Sequence, residues 1–517
     1  MQSEVSRWCA KFAVVALAPM FWGACDGQAG RRETTPGGQV ANTGADAGPP
    51  AAPAGPIAND GPCALSLTEV ALYQAVKIPL AVPTASLGLS TAAERNADVV
   101  LGRPALIRAF ATPNDEWQGI ATARLTLVSS KGTLTFDASN DLRRASNDLQ
   151  FDSTFNFQVP GSAIGEDTSW RVEMVSPASC ASVATSRFPG TGAVELQARE
   201  TGIVKVMIVP VQYDTDASGR LPDITEEQIE RYRSLVMSMY PVTGVEITVR
   251  EPVKTTLGVD SSNGWEDLLD ALRQLRQKDR AAADLHYYGV VNPAATFAAY
   301  CGKGCTAGIA YVTRDQQPSL RVGVGVGFTG QFAAQTLAHE LGHQHGRMHS
   351  PCNVDGDPNY PYPKGKIGSW GFDSTAERIL DPAAFSDIMG YCNPTWVSDF
   401  TYQGLLEHLA LLKSRPTTQA LRLEQTWNVL LVDANGKAKW GHPLTSSEAP
   451  MGAAEVARVF DERGQVVASP TVFRNSIADS GTSMVWVPTA EVGWASVTVF
   501  GGDPLRFDAP IATPVLR

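Results

Sequence analysis

The residues best suited to chemistry are three histidines and one glutamate in a short stretch of the chain. His339, Glu340, His343 and His349 follow the spacing HExxHxxGxxH. On a helix, residues four apart share a face, so His339 and His343 can direct their imidazoles at one point. Two neutral imidazoles one turn apart are suited to Zn²⁺, at about 2.0–2.1 Å from each nitrogen. Glu340 lies about 100° further round the helix, where it flanks the metal and can take a proton from a water there.

The glycine of the same motif predicts the position of the third ligand. Gly346 tolerates the left-handed conformation that ends a helix, and a sharp turn there would bring His349 back to the metal. Three protein ligands leave a fourth tetrahedral position open for water, which is the pattern of a catalytic zinc site. The alternative is chance, because a bare HExxH is common, but five fixed positions favour the metal site. His345 faces away from the metal, so we expect a solvated or hydrogen-bonded surface histidine there.

A second segment, residues 386–392, carries the sequence SDIMGYC. The long histidine motif followed by this segment resembles the metzincin clan of zinc metallopeptidases, whose motif is followed by a Met-turn. By this resemblance Met389 forms an apolar floor under the three imidazoles. Tyr391 matches the tyrosine that serralysin- and astacin-like members place near zinc, where it coordinates weakly or donates a hydrogen bond to the oxyanion. The alternative for Tyr391 is a buried aromatic with a satisfied hydroxyl. Asp387 stands where those two families usually have Ser, which leaves the family within the clan unassigned.

Length and charge narrow the class of protein. A chain of 517 residues has room for about three domains, and a hydrophobic content of 44% is enough for sizeable cores. The formal net charge of −11 argues against nucleic acid or an anionic membrane surface as a partner. The acidity therefore supports solubility and says little about the substrate.

The N-terminus resembles a bacterial export signal. Residues 1–25 contain two basic residues, Arg7 and Lys11, before an apolar run too short to anchor the chain in a bilayer. The run ends at a segment that resembles a lipobox, so Cys25 is a candidate for a lipid anchor, although Trp22 is unusual there. A cell-envelope lipoprotein and an ordinary secreted protein are both compatible with this segment. Residues 26–62 are rich in Gly, Ala, Pro and Thr and predict a disordered linker.

Besides Cys9 and Cys25 the chain has six cysteines, and they agree with a location outside the cytoplasm. Their even number favours disulfides in an oxidising compartment, but six cysteines allow fifteen pairings. We favour three pairs: Cys63–Cys180, Cys301–Cys305 and Cys352–Cys392. A rival use comes from the resemblance, because some metzincins stay latent through a propeptide cysteine on the zinc. Cys63 or Cys180 would be the candidate.

Hydrophobic patterns divide the rest of the chain into three folded regions. Residues 63–200 contain several short strands with period-two alternation, which favours an immunoglobulin-like β-sandwich. Residues 416–517 return to short strands and predict a second, smaller β-sandwich. Between them, residues 201–415 alternate strands and helices. The expected fold is therefore multidomain, with an α+β metzincin-like domain flanked by two β-sandwich domains.

The middle region has the elements that the resemblance requires. Helices are predicted from Thr225 to about Tyr240, with Thr225 as the cap, and over Trp265–Lys278. The zinc helix is expected from about Gln331. By the resemblance, these elements form a twisted mixed sheet with a zinc helix and an irregular C-terminal lobe. An edge strand, for which 308–313 is the candidate, would bind substrate in extended form by strand addition.

A possible calcium site lies just after the histidine motif. Asn353, Asp355, Asp357 and Asn359 alternate like a calcium loop, but they lack the Gly and Glu spacing of an EF-hand. A plain cluster of turn residues is the favoured interpretation.

These patterns together predict a secreted or envelope-anchored zinc endopeptidase that acts on protein or glycoprotein substrates, with Glu340 as general base. Two alternatives are a cell-surface protein- or glycan-binding module with a residual zinc site, and a zinc site that serves structure alone. A fourth protein ligand on the metal would favour the structural alternative.

Overall fold

The computed structural model describes residues 63–511 and 516, except 86–87, 116, 118, 182, 262, 303, 314–316, 415–423, 448, 451 and 510. The predicted export signal, Cys25 and the predicted linker lie outside these residues. Within the described part, no helix is long and apolar enough to cross a membrane. The protein is a mixed α/β protein with many strands and few helices.

The N-terminal region consists of short strands in two main antiparallel sheets. Its strands are β1 Leu65–Gln74, β2 Val76–Pro83, β3 Leu89–Thr91, β4 Val99–Val100, β5 Ala105–Pro113, β6 Ala121–Ser129, β7 Gly132–Asn140, β8 Phe155–Val159, β9 Ser169–Ser176, β10 Arg187–Phe188, β11 Val194–Glu195 and β12 Ala198–Arg199. One sheet contains the order β2-β1-β5-β8, and the other has the order β10-β9-β6-β7. Side chains from both sheets pack in one buried cluster. The immunoglobulin-like arrangement stays a prediction.

The middle region alternates strands and helices, as its sequence predicts. Its elements are β13 Ile203–Tyr213, α1 Glu226–Met239, β14 Gly244–Val249, β15 Val253–Thr255, α2 Trp265–Lys278, β16 Leu285–Val291, α3 Phe297–Cys301, β17 Gly308–Ala310, β18 Val322–Val326, α4 Gln331–Gln344, β19 Gly371–Asp373, β20 Arg378–Leu380, β21 Ser386–Asp387, β22 Thr395–Trp396 and α5 Asp399–Ser414. The side chain of Thr225 caps α1 by accepting from the amide of Gln228, which satisfies one orphan donor of the first turn. The sheet has the order β14-β13-β16-β18-β17, and only its edge strand β17 runs antiparallel to its neighbour.

The C-terminal region forms two further antiparallel sheets. Its strands are β23 Gln425–Val432, β24 Ala438–Ser446, β25 Ala453–Val456, β26 Arg458–Phe460, β27 Val466–Ala468, β28 Thr471–Ser476, β29 Ser483–Pro488, β30 Ser496–Thr498 and β31 Leu505–Arg506. Their orders are β24-β23-β29-β28-β25 and β27-β26-β30-β31. A sandwich of these sheets is compatible with the cluster they share, and it also stays a prediction.

The N-terminal and middle regions share a sheet. The β19–β20 hairpin continues the first N-terminal sheet by pairing with β2, which gives the order β20-β19-β2-β1-β5-β8. The indole of Trp396 donates to Ala75 O at 2.9 Å and secures the same junction. The predicted first domain, 63–200, does not include this hairpin, because residues separated by nearly 300 positions in the chain pair here.

The C-terminal region packs on α2 and on the sheet beside it. Trp427, Leu444 and Trp486 belong to the same buried cluster as Leu268 and Val324. Burial of these apolar side chains is what holds the two regions together.

A buried polar network completes this interface. Asp270 of α2 lies 2.6 Å from Arg273 and 2.5 Å from His442 Nδ1, and Arg273 donates to His442 O at 2.6 Å. Burial alone would raise the pKa of Asp270, but the charge of Arg273 and the hydrogen bonds from His442 lower that pKa to about 2. The carboxylate is therefore ionised at neutral pH.

Candidate active site

Helix α4 carries the first two histidines and ends where the motif predicts. Gly346 has φ 78°, its amide donates to His343 O at 2.8 Å, and the amide of Arg347 donates to Gly342 O at 3.0 Å. These two bonds close the helix in the manner of a Schellman motif. A Cβ at position 346 would also lie 2.8 Å from Thr313 O. Glycine is therefore required twice over, for its backbone angle and for its size.

The turn at Gly346 brings the three histidines together. His339 and His343 have their Nε2 atoms 3.0 Å apart, and the ring centroid of His349 lies 4.7 Å from that of His343. The Nδ1 atoms of the first two rings are 2.7 Å from the carbonyl oxygens of Ile388 and Arg347. Because a carbonyl only accepts, each Nδ1 of the neutral rings carries the proton, and in that form the Nε2 atoms face one another as bare acceptors.

A fourth side chain, which sequence reasoning missed, completes this group. Asp479 lies on the loop between β28 and β29 in the C-terminal region. Its Oδ1 is 3.1 Å from His349 Nε2, and its Oδ2 is 3.2 Å from His343 Nε2 and 3.5 Å from His339 Nε2. All four ligand atoms lie within 4.8 Å of one another. Among the described residues, no other group of three or more such side chains has this arrangement.

These distances suit a tetrahedral metal ion. With bonds of about 2.0–2.1 Å, the ligand atoms of a tetrahedron are separated by about 3.4 Å. With Oδ2 as the ligand atom of Asp479, three of the separations here are 3.0, 3.2 and 3.5 Å. Two bare nitrogens at 3.0 Å repel each other unless a cation lies between them. The Asp479 Oδ2 atom is also buried, and no described residue forms a hydrogen bond with it. The residues present therefore fit a bound metal ion.

The pKa values of His339, His343 and Asp479 are shifted by burial and by the charges that these groups exert on one another. Burial lowers the pKa of His343 to about 4, so its ring is neutral and available to a metal. Burial also opposes protonation of His339, but the negative charge of Asp479 outweighs it and raises the pKa of that ring. Asp479 is buried too, yet its proximity to His349 and His339 holds its pKa well below the usual range. The carboxylate is therefore charged.

Glu340 lies between the metal group and the edge strand. A Cβ added to Gly308 of β17 would lie 2.6 Å from Glu340 Oε1, so the carboxylate rests against the backbone of that strand. The side chain is 2% exposed, and its Oε2 has no hydrogen-bond partner among the described residues. Burial raises the pKa of Glu340 well above its ordinary value, and the charge of Asp479 adds to this. A buried carboxyl with a raised pKa is suited to receiving a proton.

The Met-turn lies directly beneath the histidines. Met389 is buried, and a Cβ added to Gly342 would overlap its Sδ and lie 3.1 Å from its Cε. Asp387, the departure from the family pattern, now has a structural explanation. Its carboxylate accepts from the amides of Met389 and Ser398, both at 2.8 Å, and so ties the Met-turn to the start of α5. Burial raises the pKa of Asp387, and these hydrogen bonds oppose the rise.

Tyr391 also reaches the metal group. Its hydroxyl is 3.5 Å from His349 Nε2 and makes a short hydrogen bond to Asp479 Oδ1. The structure therefore places the phenol at the edge of the site. Both interpretations of Tyr391, oxyanion donor and satisfied aromatic, are compatible with this position.

The predicted surface position of His345 is wrong, although its predicted hydrogen bonding is present. The residue is 1% exposed rather than at the surface, its Nδ1 bonds to Leu341 O at 2.7 Å, and its ring stacks on His286 with centroids 4.4 Å apart. The reason is that α4 is covered on all sides near its end, so this helix has no solvent face for the ring to reach. His345 does face away from the metal.

The structure contains the three favoured disulfides, Cys63–Cys180, Cys301–Cys305 and Cys352–Cys392. The rival use of Cys63 or Cys180 as a zinc ligand is thereby wrong, because the two sulfurs are bonded to each other. At the possible calcium loop, Asp357 Oδ1 accepts from the amide of Asn359 at 2.9 Å, as in an Asx turn.

A cavity lies one helical turn from the metal group. Its volume is about 1120 Å³, and it is bounded by α1, α3, the start of α4 and the segment after the Met-turn. Its lining includes Leu235, Met239, Phe332, Gln335, Pro394 and Trp396. Charged side chains line it as well, among them Glu227, Arg231 and Arg378. A cavity of this size is large enough for a substrate side chain.

Two protein families match this part of the chain. Residues 230–350 match metallo-peptidase family M12B, reprolysin-like, and residues 321–402 match peptidase M66. Both ranges include the three histidines and Glu340, and the second also includes the Met-turn. The chain resembles the metzincin clan of zinc metallopeptidases. Its metzincin-like segment accounts for less than half of the chain, and the β regions on either side lie almost entirely outside both matches.

Other comparisons add little to this assignment. No curated protein matches the chain. A crystal structure of metalloproteinase-II from Bacteroides fragilis aligns at 12% identity over 59% of this chain and 79% of that one, with a TM-score of 0.21. A TM-score this low does not establish a shared fold.

Proposed function

We propose that this metzincin-like protein is a zinc-dependent endopeptidase that hydrolyses peptide bonds in extracellular proteins or glycoproteins. The observation that carries the proposal is the convergence of His339, His343 and His349 beside the buried carboxyl of Glu340. The three disulfides support a secreted or envelope-anchored location, since such bonds persist in oxidising compartments.

Each step of the proposed catalysis is assigned to a residue of the site. His339, His343 and His349 would hold the zinc ion, which supplies Lewis acidity to a water and to the scissile carbonyl. Glu340 takes the proton from the attacking water and passes it to the leaving amine. The hydroxyl of Tyr391 donates to the oxyanion as charge develops on it. Met389 supports the histidine rings from below.

The substrate path follows from the sheet. Strand β17 is the edge of the sheet and its backbone touches Glu340, so an extended peptide paired with it would pass beside the metal. The cavity next to α4 would then receive a substrate side chain.

The test is cleavage of casein and of a mucin-type glycoprotein by purified protein, with and without a zinc chelator. Glu340→Ala should keep its zinc but lose at least about 10²–10⁴-fold in rate, because base and metal act on one water. Glu407→Ala, at an exposed position of α5, is the matched control and should cleave like the wild type. Near wild-type cleavage by Glu340→Ala would show that the mechanism is wrong.

A structural zinc site is the second candidate, because the carboxylate of Asp479 offers a fourth ligand atom beside the three histidines. Four protein ligands are the usual pattern of zinc sites that serve stability alone. Under this alternative, removal of zinc destabilises the contact between the middle and C-terminal regions, and no form of the protein cleaves a peptide bond.

A further inference from the structure

The loop between β28 and β29 reaches from the C-terminal region into the proposed active site. This loop, residues 477–482, is closed by a hydrogen bond from the amide of Ile477 to Thr482 O at 3.0 Å. Asp479 lies in it with φ 62°, a left-handed angle that Asp and Asn tolerate better than most residues. The loop thus presents one carboxylate in a fixed direction.

The chain just before Asp479 pairs with the edge of the catalytic sheet. Ile477 and Tyr311 form an antiparallel bridge. The amide of Ala478 donates to Ala310 O at 2.8 Å, and the amide of Val312 donates to Ser476 O at 3.3 Å. Ala310 is the last residue of β17, so these bonds use the outward-facing groups of the edge strand. They are the bonds that an extended substrate would require.

The two observations describe one arrangement. Residues 476–478 run antiparallel to the edge strand, and the next residue, Asp479, delivers its carboxylate to the three histidines. We propose that the 477–482 loop occupies the substrate position of this chain and that Asp479 is a fourth zinc ligand, so that the folded enzyme is held closed by its own C-terminal region. This inference rests on the proposed peptidase function.

The closure needs only the loop to move. The body of the C-terminal region is fixed to α2 by the apolar cluster and by the Asp270–Arg273–His442 network. The loop is attached by the burial of Ile477 in the same cluster, by the edge-strand bridge, by the contacts of Asp479, and by a hydrogen bond from Thr482 Oγ1 to Glu266 Oε1 at 3.1 Å. Opening therefore requires the loss of these local contacts and leaves the large interface intact.

The experiment removes the carboxylate of Asp479 and leaves the backbone of the 477–482 loop unchanged in length. Asp479→Gly suits the left-handed backbone and deletes the carboxylate. Asp479→Asn keeps the size of the side chain but loses its charge, and it serves as the second variant if the first folds poorly. Asp461→Gly removes an aspartate from the turn between β26 and β27 of the same region and is the matched control.

Two readouts separate closure from activity. The full chain is loaded with Co²⁺ and titrated with acetohydroxamate, a small chelating ligand that changes the visible spectrum only where the metal has an accessible position. In parallel, the zinc forms are assayed on casein. We expect Asp479→Gly to bind acetohydroxamate and to cleave at least about tenfold faster than the wild type. The wild type and Asp461→Gly should show little spectral change.

Each other outcome overturns the closure. If wild type and Asp479→Gly bind acetohydroxamate equally and cleave equally, the loop does not close the site, while the peptidase function stands. If Asp479→Gly binds acetohydroxamate, the wild type does not, and neither form cleaves any substrate, Asp479 is the fourth ligand of a structural site, and both the peptidase function and the closure of an enzyme by the loop are wrong.

Discussion

The contact between Gly342 and Met389 gives a quantitative test of how the Met-turn supports the site. Gly342 lies on α4 between His339 and His343, and a Cβ there would overlap Met389 Sδ and approach its Cε to 3.1 Å. Gly342→Ala therefore forces the Met389 side chain to move, and because this side chain is buried we expect the Met-turn to shift with it. The neighbour of Met389, Ile388, accepts the hydrogen bond that orients His339. The displacement should reach the metal through this bond.

Two opposing terms set the size of the effect on stability. Alanine is favoured over glycine in a helix interior by about 1 kcal/mol. Overpacking a buried contact costs about 1–3 kcal/mol, so the net loss of stability is about 0–2 kcal/mol. The effect on metal binding is larger, because weakening a bond that orients a ligand typically costs about 10–100-fold in affinity. We expect Gly342→Ala to raise the Kd for zinc by that factor.

The assay is competition for zinc between the protein and a chelator of known affinity. Met389→Ala removes the overlapping sulfur, so the double variant Gly342→Ala/Met389→Ala should bind zinc more tightly than the product of the single effects. Additive effects, or a Kd of Gly342→Ala within about twofold of the wild type, would refute the account of the Met-turn as a support.

Three further predictions concern the ligands, the phenol and the interface. His343→Ala should lose zinc outright, measured by metal content after dialysis; retention of one zinc per chain would contradict the assignment of the ligands. In the Asp479→Gly background, Tyr391→Phe should lower kcat about 10²-fold with little change in KM if the phenol donates to the oxyanion, whereas a buried aromatic leaves kcat unchanged. Asp270 has its pKa lowered to about 2, against about 3.9 in an unfolded chain. It therefore contributes about 2.6 kcal/mol, present above pH 4 and lost as the pH falls toward 2. Asp270→Asn should remove this dependence in urea unfolding between pH 5 and 2.5; equal losses in both forms would contradict it.

Much of the site was predictable because it depends on the spacing of residues within one short stretch of sequence. His339, His343 and Gly346 depend on the period of one helix and on the turn that ends it, and both are properties of a short stretch. Helix α2 and the cap of α1 were predictable for the same reason.

What depends on distant parts of the chain was not predictable. Asp479 follows His349 by 130 residues, and its sequence setting, Ala-Asp-Ser-Gly, is that of any hairpin turn. Its role appears only when β28 is placed beside the edge strand. The burial of His345 was missed because the motif shows which way a ring points but not what packs against it. The pairing of β19 with β2 likewise follows from long-range contacts that periodicity does not encode.

The shared sheet has a consequence for how this protein can be processed. The backbone amide of Phe372 donates to Ala75 O, and the backbone amide of Lys77 donates to Trp370 O. The guanidinium of Arg103 donates to the carbonyls of Met237 and Ser238. The N-terminal region is therefore attached to the catalytic part at several separate points. A single cut in the connection near residue 202 would break the chain and leave these attachments in place. We expect such nicked protein to elute at its original size in gel filtration and to separate into two fragments only in denaturant. On this expectation the N-terminal region stays bound to the rest of the enzyme and is not released by a single cut.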